Sequence, residues 1–175
     1  MNAVDYCTTG KPGPAMTVDA ARLRALAATS PLQDAEMLSL EAALGRVAAT
    51  GAKALVNLPP FDNAAMDGYA LRTVDLTGAG PWRLPVAGRS AAGDAGNQIL
   101  PHGSAARIFT GAPIPPGADV VVMQERVIRD GPLIRMDTAP AAGTNIRRKG
   151  EDVVLGSVPV AAGLCLTAHH PSPPS

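Results

Sequence analysis

Three short polar stretches hold the residues of this chain that are able to do chemistry. The first runs Leu58-Pro59-Pro60-Phe61-Asp62-Asn63-Ala64-Ala65-Met66-Asp67-Gly68 and carries two carboxylates, Asp62 and Asp67, five positions apart. A helical turn over Asn63 to Met66 would have Asp62 as its N-cap and Asp67 at its exit. The second runs from Phe109 to Asp119, where a strand feeds into Thr110-Gly111 and three prolines stiffen the exit. A Thr-Gly corner with free backbone N–H groups can hold an anion. The third is Gly143 to Asp152, where Arg147, Arg148 and Lys149 meet Glu151 and Asp152. These charges either neutralise one another in a solvated turn or receive a ligand. In the second case the arginines meet phosphate oxygens by forked contacts, and the carboxylates take a hard cation such as magnesium.

No Walker A loop, G-x-G-x-x-G, H-E-x-x-H, G-x-S-x-G or EF-hand loop occurs. Cys7 and Cys165 are 158 positions apart, with no C-x-x-C pair. Free thiols in a reducing compartment are the plain reading. His169-His170 are adjacent, and neighbouring side chains point apart, which argues against a metal pair.

The elements that must position these loops follow from periodicity. Met16 to Thr29 is a short Ala- and Arg-rich helix with Thr17 as N-cap. Ser39 caps a second helix whose Leu40, Leu44 and Val47 make one apolar stripe. Then the period changes to that of strands. Ala54 to Val56, Tyr69 to Arg72, Arg83 to Ala87, Ala105 to Phe109, Val120 to Arg129, Val153 to Leu155 and Val158 to Leu166 read as strands between Gly, Pro and Asp turns. Asp130-Gly131 between Val127-Ile128 and Leu133-Ile134 signals a hairpin. Helices first and many short strands after give an α+β, mainly β fold.

The 175 residues carry 15 basic and 15 acidic side chains. A balanced charge argues against a nucleic-acid groove. No apolar run reaches membrane-spanning length, and the N-terminus has no signal-peptide core. Gly 18 and Pro 17 together are high for a chain of this length. Residues 1–15 read as a disordered leader, and 169–175, with three prolines, as a disordered tail or the scar of a shifted frame.

At the three loops the chain resembles the front part of MoeA, the molybdopterin molybdenumtransferase family that includes the gephyrin E domain. The resemblance rests on Pro60-Phe61-Asp62-Asn63-Ala64-Ala65-Met66-Asp67-Gly68-Tyr69-Ala70, on Arg107-Ile108-Phe109-Thr110-Gly111-Ala112-Pro113-Ile114-Pro115, and on Asn145-Ile146-Arg147-Arg148-Lys149-Gly150-Glu151-Asp152. Pro85 to Gly88 and Val121 to Glu125 match as well. The chain has Ala64 and Phe109 where the family often has Ser and an aliphatic residue.

The resemblance implies the family's N-terminal fold with bifurcated β-sheets. A β-rich domain would cover residues 58–152, and a smaller, discontinuous, dimer-forming part would combine 16–57 with 153–168. The C-terminal molybdopterin-binding domain would be absent. The implied activity is insertion of molybdate into adenylylated molybdopterin with release of AMP, assisted by magnesium, in a cytoplasmic homodimer with an active site shared between subunits. By motif matching, the catalytic positions are Asp67, Thr110 and Asp152. Gly111, Arg147 and Arg148 would bind the cofactor, and Asp67, Glu151 and Asp152 the metal. A truncated chain would hold half of such a composite site and would not insert molybdenum alone. A non-catalytic dimerisation or scaffold module of gephyrin type, or an inactive fragment, is the alternative.

Overall fold

The computed structural model describes residues 16–30, 32 and 34–168. The leader 1–15 with Cys7, and the tail 169–175 with His169 and His170, lie outside them. The chain divides into two units, one up to Ser39 and the other from Leu40 onward.

In the first unit, α1 (Val18–Ala27) begins where the Thr17 side chain accepts a hydrogen bond from the Ala20 N–H at 3.2 Å. It buries none of its residues. Among the described residues no helix is long and apolar enough to cross a membrane.

The second unit opens with α2 (Leu40–Ala43), a single turn rather than the longer expected helix. Gly45 follows at φ 78°, where the chain turns away. The stripe Leu40, Leu44 and Val47 is therefore left exposed instead of forming core. Residues 45–58 then run beside 153–166, joined by isolated bridges at Val47–Cys165, Ala52–Val160 and Leu58–Val153. The strands expected at 54–56, 153–155 and 158–166 do not form as continuous elements. Turns at Gly156 and Gly163, both at positive φ, interrupt the pairing.

The body of this unit is a six-stranded sheet. Its strands are β2 (Gly68–Leu71), β3 (Trp82–Ser90), β4 (Ala105–Ile108), β5 (Val120–Met123), β6 (Ile128–Asp130) and β7 (Leu133–Met136), in the order β5-β2-β4-β3-β7-β6. The pairings are antiparallel except β3 with β4, which is parallel. The single strand expected from Val120 to Arg129 is two. A 3-10 turn at Gln124–Arg126 breaks it, so β5 and β6 lie at opposite edges. In the β6–β7 hairpin the two loop residues are Gly131-Pro132, since Asp130 pairs with Leu133. Gly131 at φ 58° takes the first loop position, which favours glycine in this turn class.

The interior strand β2, between β5 and β4, is buried along its whole length. Alternation sends Tyr69 and Leu71 to one face, where they meet Leu84, Ala105, Val120, Val122, Ile134 and Met136. The other face carries Ala70, Ile108 and Val121, covered by Ala64 and Ala112 from the polar loops. Small residues on this face let the loops lie close against the sheet. The result is an α+β, mainly β fold.

Candidate functional site

The three polar loops meet on that second face. The first loop contributes β1 (Asn63–Ala64), which pairs antiparallel with β8 (Ile146–Arg147) of the third loop. On its other side the first loop is stitched to the second. Ala64 N–H donates to Ala112 O, Gly111 N–H to Ala64 O, and Ile114 N–H to Asp62 O, at 2.8 to 3.1 Å. Asn63 and Ala64 are thus extended and residues 65–67 form a bend, in place of the expected helical turn. The reason is that the neighbouring loops supply ladder partners that a lone turn would lack.

This arrangement gives Asp62 a different task from a cap. Its Oδ1 accepts the Lys149 N–H at 2.8 Å, and its Oδ2 accepts Arg148 Nη1 at 2.7 Å. The Lys149 amide first, and the Arg148 guanidinium second, hold its carboxyl below the usual range, against a smaller effect of burial. Sequence reasoning passed over this clamp because its donors lie more than eighty residues away.

Asp67 lies where the first loop enters β2. One oxygen, Oδ1, accepts both the Thr110 N–H at 2.8 Å and the Thr110 hydroxyl at 2.7 Å. Its Oδ2 accepts no hydrogen bond from the described residues. The Thr110 amide, then the Thr110 hydroxyl, and more weakly the Arg107 charge, lower the Asp67 carboxyl below its ordinary value. The side chain is therefore a carboxylate at neutral pH, with one fixed and one open oxygen. The same bonds use up the donors expected to be free at the corner. The Thr110 N–H serves Asp67, the Gly111 N–H serves Ala64, and the Ala112 N–H serves Phe109 O.

The charges of the third loop neutralise one another. Arg147 Nη2 bonds Asp152, and its Nε lies 3.7 Å from Glu151. Glu151 Oε2 accepts the Arg148 N–H at 2.8 Å. Asp152 holds the Arg147 guanidinium even more firmly protonated than usual. Asn145 turns the loop at φ 56°, a conformation its short side chain tolerates. Its Nδ2 donates to Val121 O at 2.9 Å, and its carbonyl accepts the Ala65 N–H.

Among the described residues, no three carboxylate, histidine or cysteine side chains gather as a metal-holding group. Asp67 is thus not brought together with Glu151 and Asp152 as one donor set. The latter two face Arg147 instead. What the site offers is a single oriented carboxylate with one open oxygen, beside a rigid loop of paired charges.

Arg107 completes the surroundings and was not singled out among the expected site residues. Its guanidinium lies over the rings of Tyr69 at 5.3 Å and Phe109 at 4.6 Å. It donates to Gly68 O at 2.8 Å and to Gln124 Oε1 at 2.6 Å. Alternation along β4 places it on a strand neighbour of β2, but only the pairing of Tyr69 with Arg107 shows what it touches.

Comparison with known proteins follows the same boundaries. A family model described as the MoeA N-terminal region (domain I and II) matches residues 16–172. The molybdopterin molybdenumtransferase of Haemophilus influenzae is 42% identical over 153 residues, covering 87% of this chain and 37% of that protein. The protein of that name from Synechococcus elongatus is 44% identical over 126 residues, covering 70% and 31%. A crystal structure of the molybdopterin biosynthesis MoeA protein of Pyrococcus horikoshii aligns with TM-score 0.73 at 38% identity, over 78% of this chain and 37% of that one. The chain spans about a third of the length of the curated relatives it matches.

Proposed function

Since the chain belongs to the MoeA N-terminal region family, domains I and II, we propose that it serves molybdenum cofactor biosynthesis as one side of a molybdopterin molybdenumtransferase site. The reaction is insertion of molybdate into adenylylated molybdopterin with release of AMP. The observation that carries this reading is the Asp67–Thr110 pair, held at the junction of the three loops that match the family.

Cleaving a phosphate linkage calls for charge placement more than for a covalent nucleophile. A carboxylate kept ionised and aimed by two donors orients a water molecule or a cationic group at its open oxygen. Magnesium, which is commonly held by one or two carboxylates together with substrate phosphates, would be held from this chain by the Asp67 carboxylate. Bound there, it would offset phosphate charge. Arg147, Arg148, Glu151 and Asp152 keep the third loop rigid beside it. The rest of the substrate site comes from a molybdopterin-binding domain of the family's type.

The assembly is a homodimer. Its support is the apolar surface on 40–58 and 153–158, where Leu40, Leu44, Leu55, Val56, Leu58, Val154, Leu155 and Val158 are exposed. Exposed apolar area of this extent marks an interaction surface. The exposed free thiol of Cys165 and the balanced charge agree with a cytoplasmic setting.

The test is a chimera. The 153 residues that align with the Haemophilus influenzae relative replace its own segment, and molybdate insertion is assayed with adenylylated molybdopterin. Insertion by the chimera, and its loss on Asp67→Ala with folding intact, is the expected result. A chimera that folds without inserting molybdate, or an Asp67→Ala form with near-normal activity, would overturn the reading.

A further inference from the structure

The cations that the sequence offers for anion binding, Arg147 and Arg148, are already matched by Asp152, Glu151 and Asp62. Several other guanidiniums of the described residues form no ion pair with a carboxylate, and two of these stand together. Arg89 on β3 and Arg107 on β4 are register partners on adjacent parallel strands, so they stand side by side on one face. Like charges in such positions repel. Neither forms an ion pair with a carboxylate among the described residues. Both rest against one ring, Phe109, at 5.4 and 4.6 Å.

The carboxylates in the neighbourhood are committed elsewhere. Asp94 Oδ2 accepts the Ala91 N–H at 2.6 Å, Glu125 accepts Gln124 Nε2 at 3.1 Å, and Asp67 Oδ1 serves Thr110. Arg107 spends its N–H groups on Gly68 O, Ile108 O and Gln124, while Arg89 keeps all of its donors. Phe109 directly precedes Thr110, so the two guanidiniums and the Asp67 carboxylate flank the same short segment.

We propose that Arg89 and Arg107 form an anion seat, beside the Phe109 ring, for the phosphate or pyrophosphate group of a ligand. The anionic end of the ligand settles between the two guanidiniums, close to the Phe109-Thr110 segment. An anion there relieves the repulsion between neighbouring cations, and a guanidinium fork suits phosphate oxygens. The ligand's identity as a phosphate ester rests on the functional reading above. The seat itself rests on the pairing of the arginines.

The test titrates inorganic pyrophosphate into the 175-residue chain, following the arginine Nε–H and the Phe109 and Thr110 amide resonances. Saturable shifts at Arg89, Arg107, Phe109 and Thr110 are expected. Arg89→Gln weakens affinity about ten-fold, as loss of one charged contact implies. Arg89→Lys keeps most of the affinity, and Arg129→Gln on β6 leaves it unchanged. Arg89 bonds no backbone, so its variants leave the fold intact, which the dispersion of the amide spectrum checks. Shifts centred on Arg147 and Arg148, unchanged affinity in Arg89→Gln, or no saturable binding would each overturn the seat. A chimera that inserts molybdate while this chain binds no pyrophosphate sinks the seat alone. Pyrophosphate binding beside an inactive chimera sinks the functional reading alone.

Discussion

Thr110 gives both its backbone N–H and its hydroxyl to a single oxygen of Asp67, and leaves the other oxygen open. A carboxylate gripped in this way cannot rotate, and its free lone pairs point in one direction. Thr110→Val in the active chimera removes one of the two grips and lowers the molybdate insertion rate about ten- to hundred-fold. Thr110→Ser, which restores the hydroxyl, recovers most of it. Equal rates for the Val and Ser forms would show that the hydroxyl is irrelevant.

Asp62 ties the first loop to the third through Lys149 N–H and Arg148. Asp62→Ala breaks both bonds. The cost is about 1 kcal/mol, because the pair is partly exposed and screened. Thermal unfolding should show a fall of a few degrees. Faster hydrogen exchange at the Lys149 amide is the local signature. An unchanged exchange rate there would mean that the clamp holds nothing.

The two lowered carboxyls set an acid limit. Asp62 and Asp67 ionise more readily in the folded chain than in the unfolded one. Their contribution is complete above the unfolded value, about 4. It decays as pH falls from there and is gone below the folded values. The melting temperature should therefore be flat from neutral pH down to about 5 and drop below about 4. The Asp62→Asn form should drop less steeply.

Gly68 has no room for a side chain. A Cβ there would stand 2.0 Å from Val122 O, in the backbone of β5. Gly68→Ala forces β2 and β5 apart and costs about 3 kcal/mol or more. Urea unfolding of the soluble fraction measures this, and a stability near that of the parent would show that the strand shifts freely.

The exposed apolar residues on 40–58 and 153–158 should carry the dimer contact. Leu55→Glu places a charge on that surface, where Leu55 is 85% exposed. Sedimentation velocity should give a dimer for the parent chain and a monomer for the variant, with the melting temperature little changed. A monomeric parent would refute the assembly.

Much of this molecule is legible in its amino-acid order. Thr17 marks the start of α1, and the short apolar runs Tyr69 to Leu71 and Val120 to Val122 mark strands buried on both faces, because capping and side-chain type are local properties. The three loops stand out for the same reason. Each concentrates prolines, glycines and charges that no regular element needs. Where neighbours far along the chain decide, the order is silent. Asn63 to Met66 read locally as a helical turn, yet Asn63 and Ala64 lie extended because the second and third loops supply their partners. Asp62 read as a cap, yet it binds a guanidinium and a backbone N–H 86 and 87 residues away. Arg147, Arg148 and Lys149 suggested a receptive cationic loop, but two of the three are matched by carboxylates. The unmatched pair, Arg89 and Arg107, becomes a pair only through the parallel register of β3 and β4. Residue types thus set which chemistry is available. Strand pairing alone settles which charges are spent on one another and which are left for a ligand.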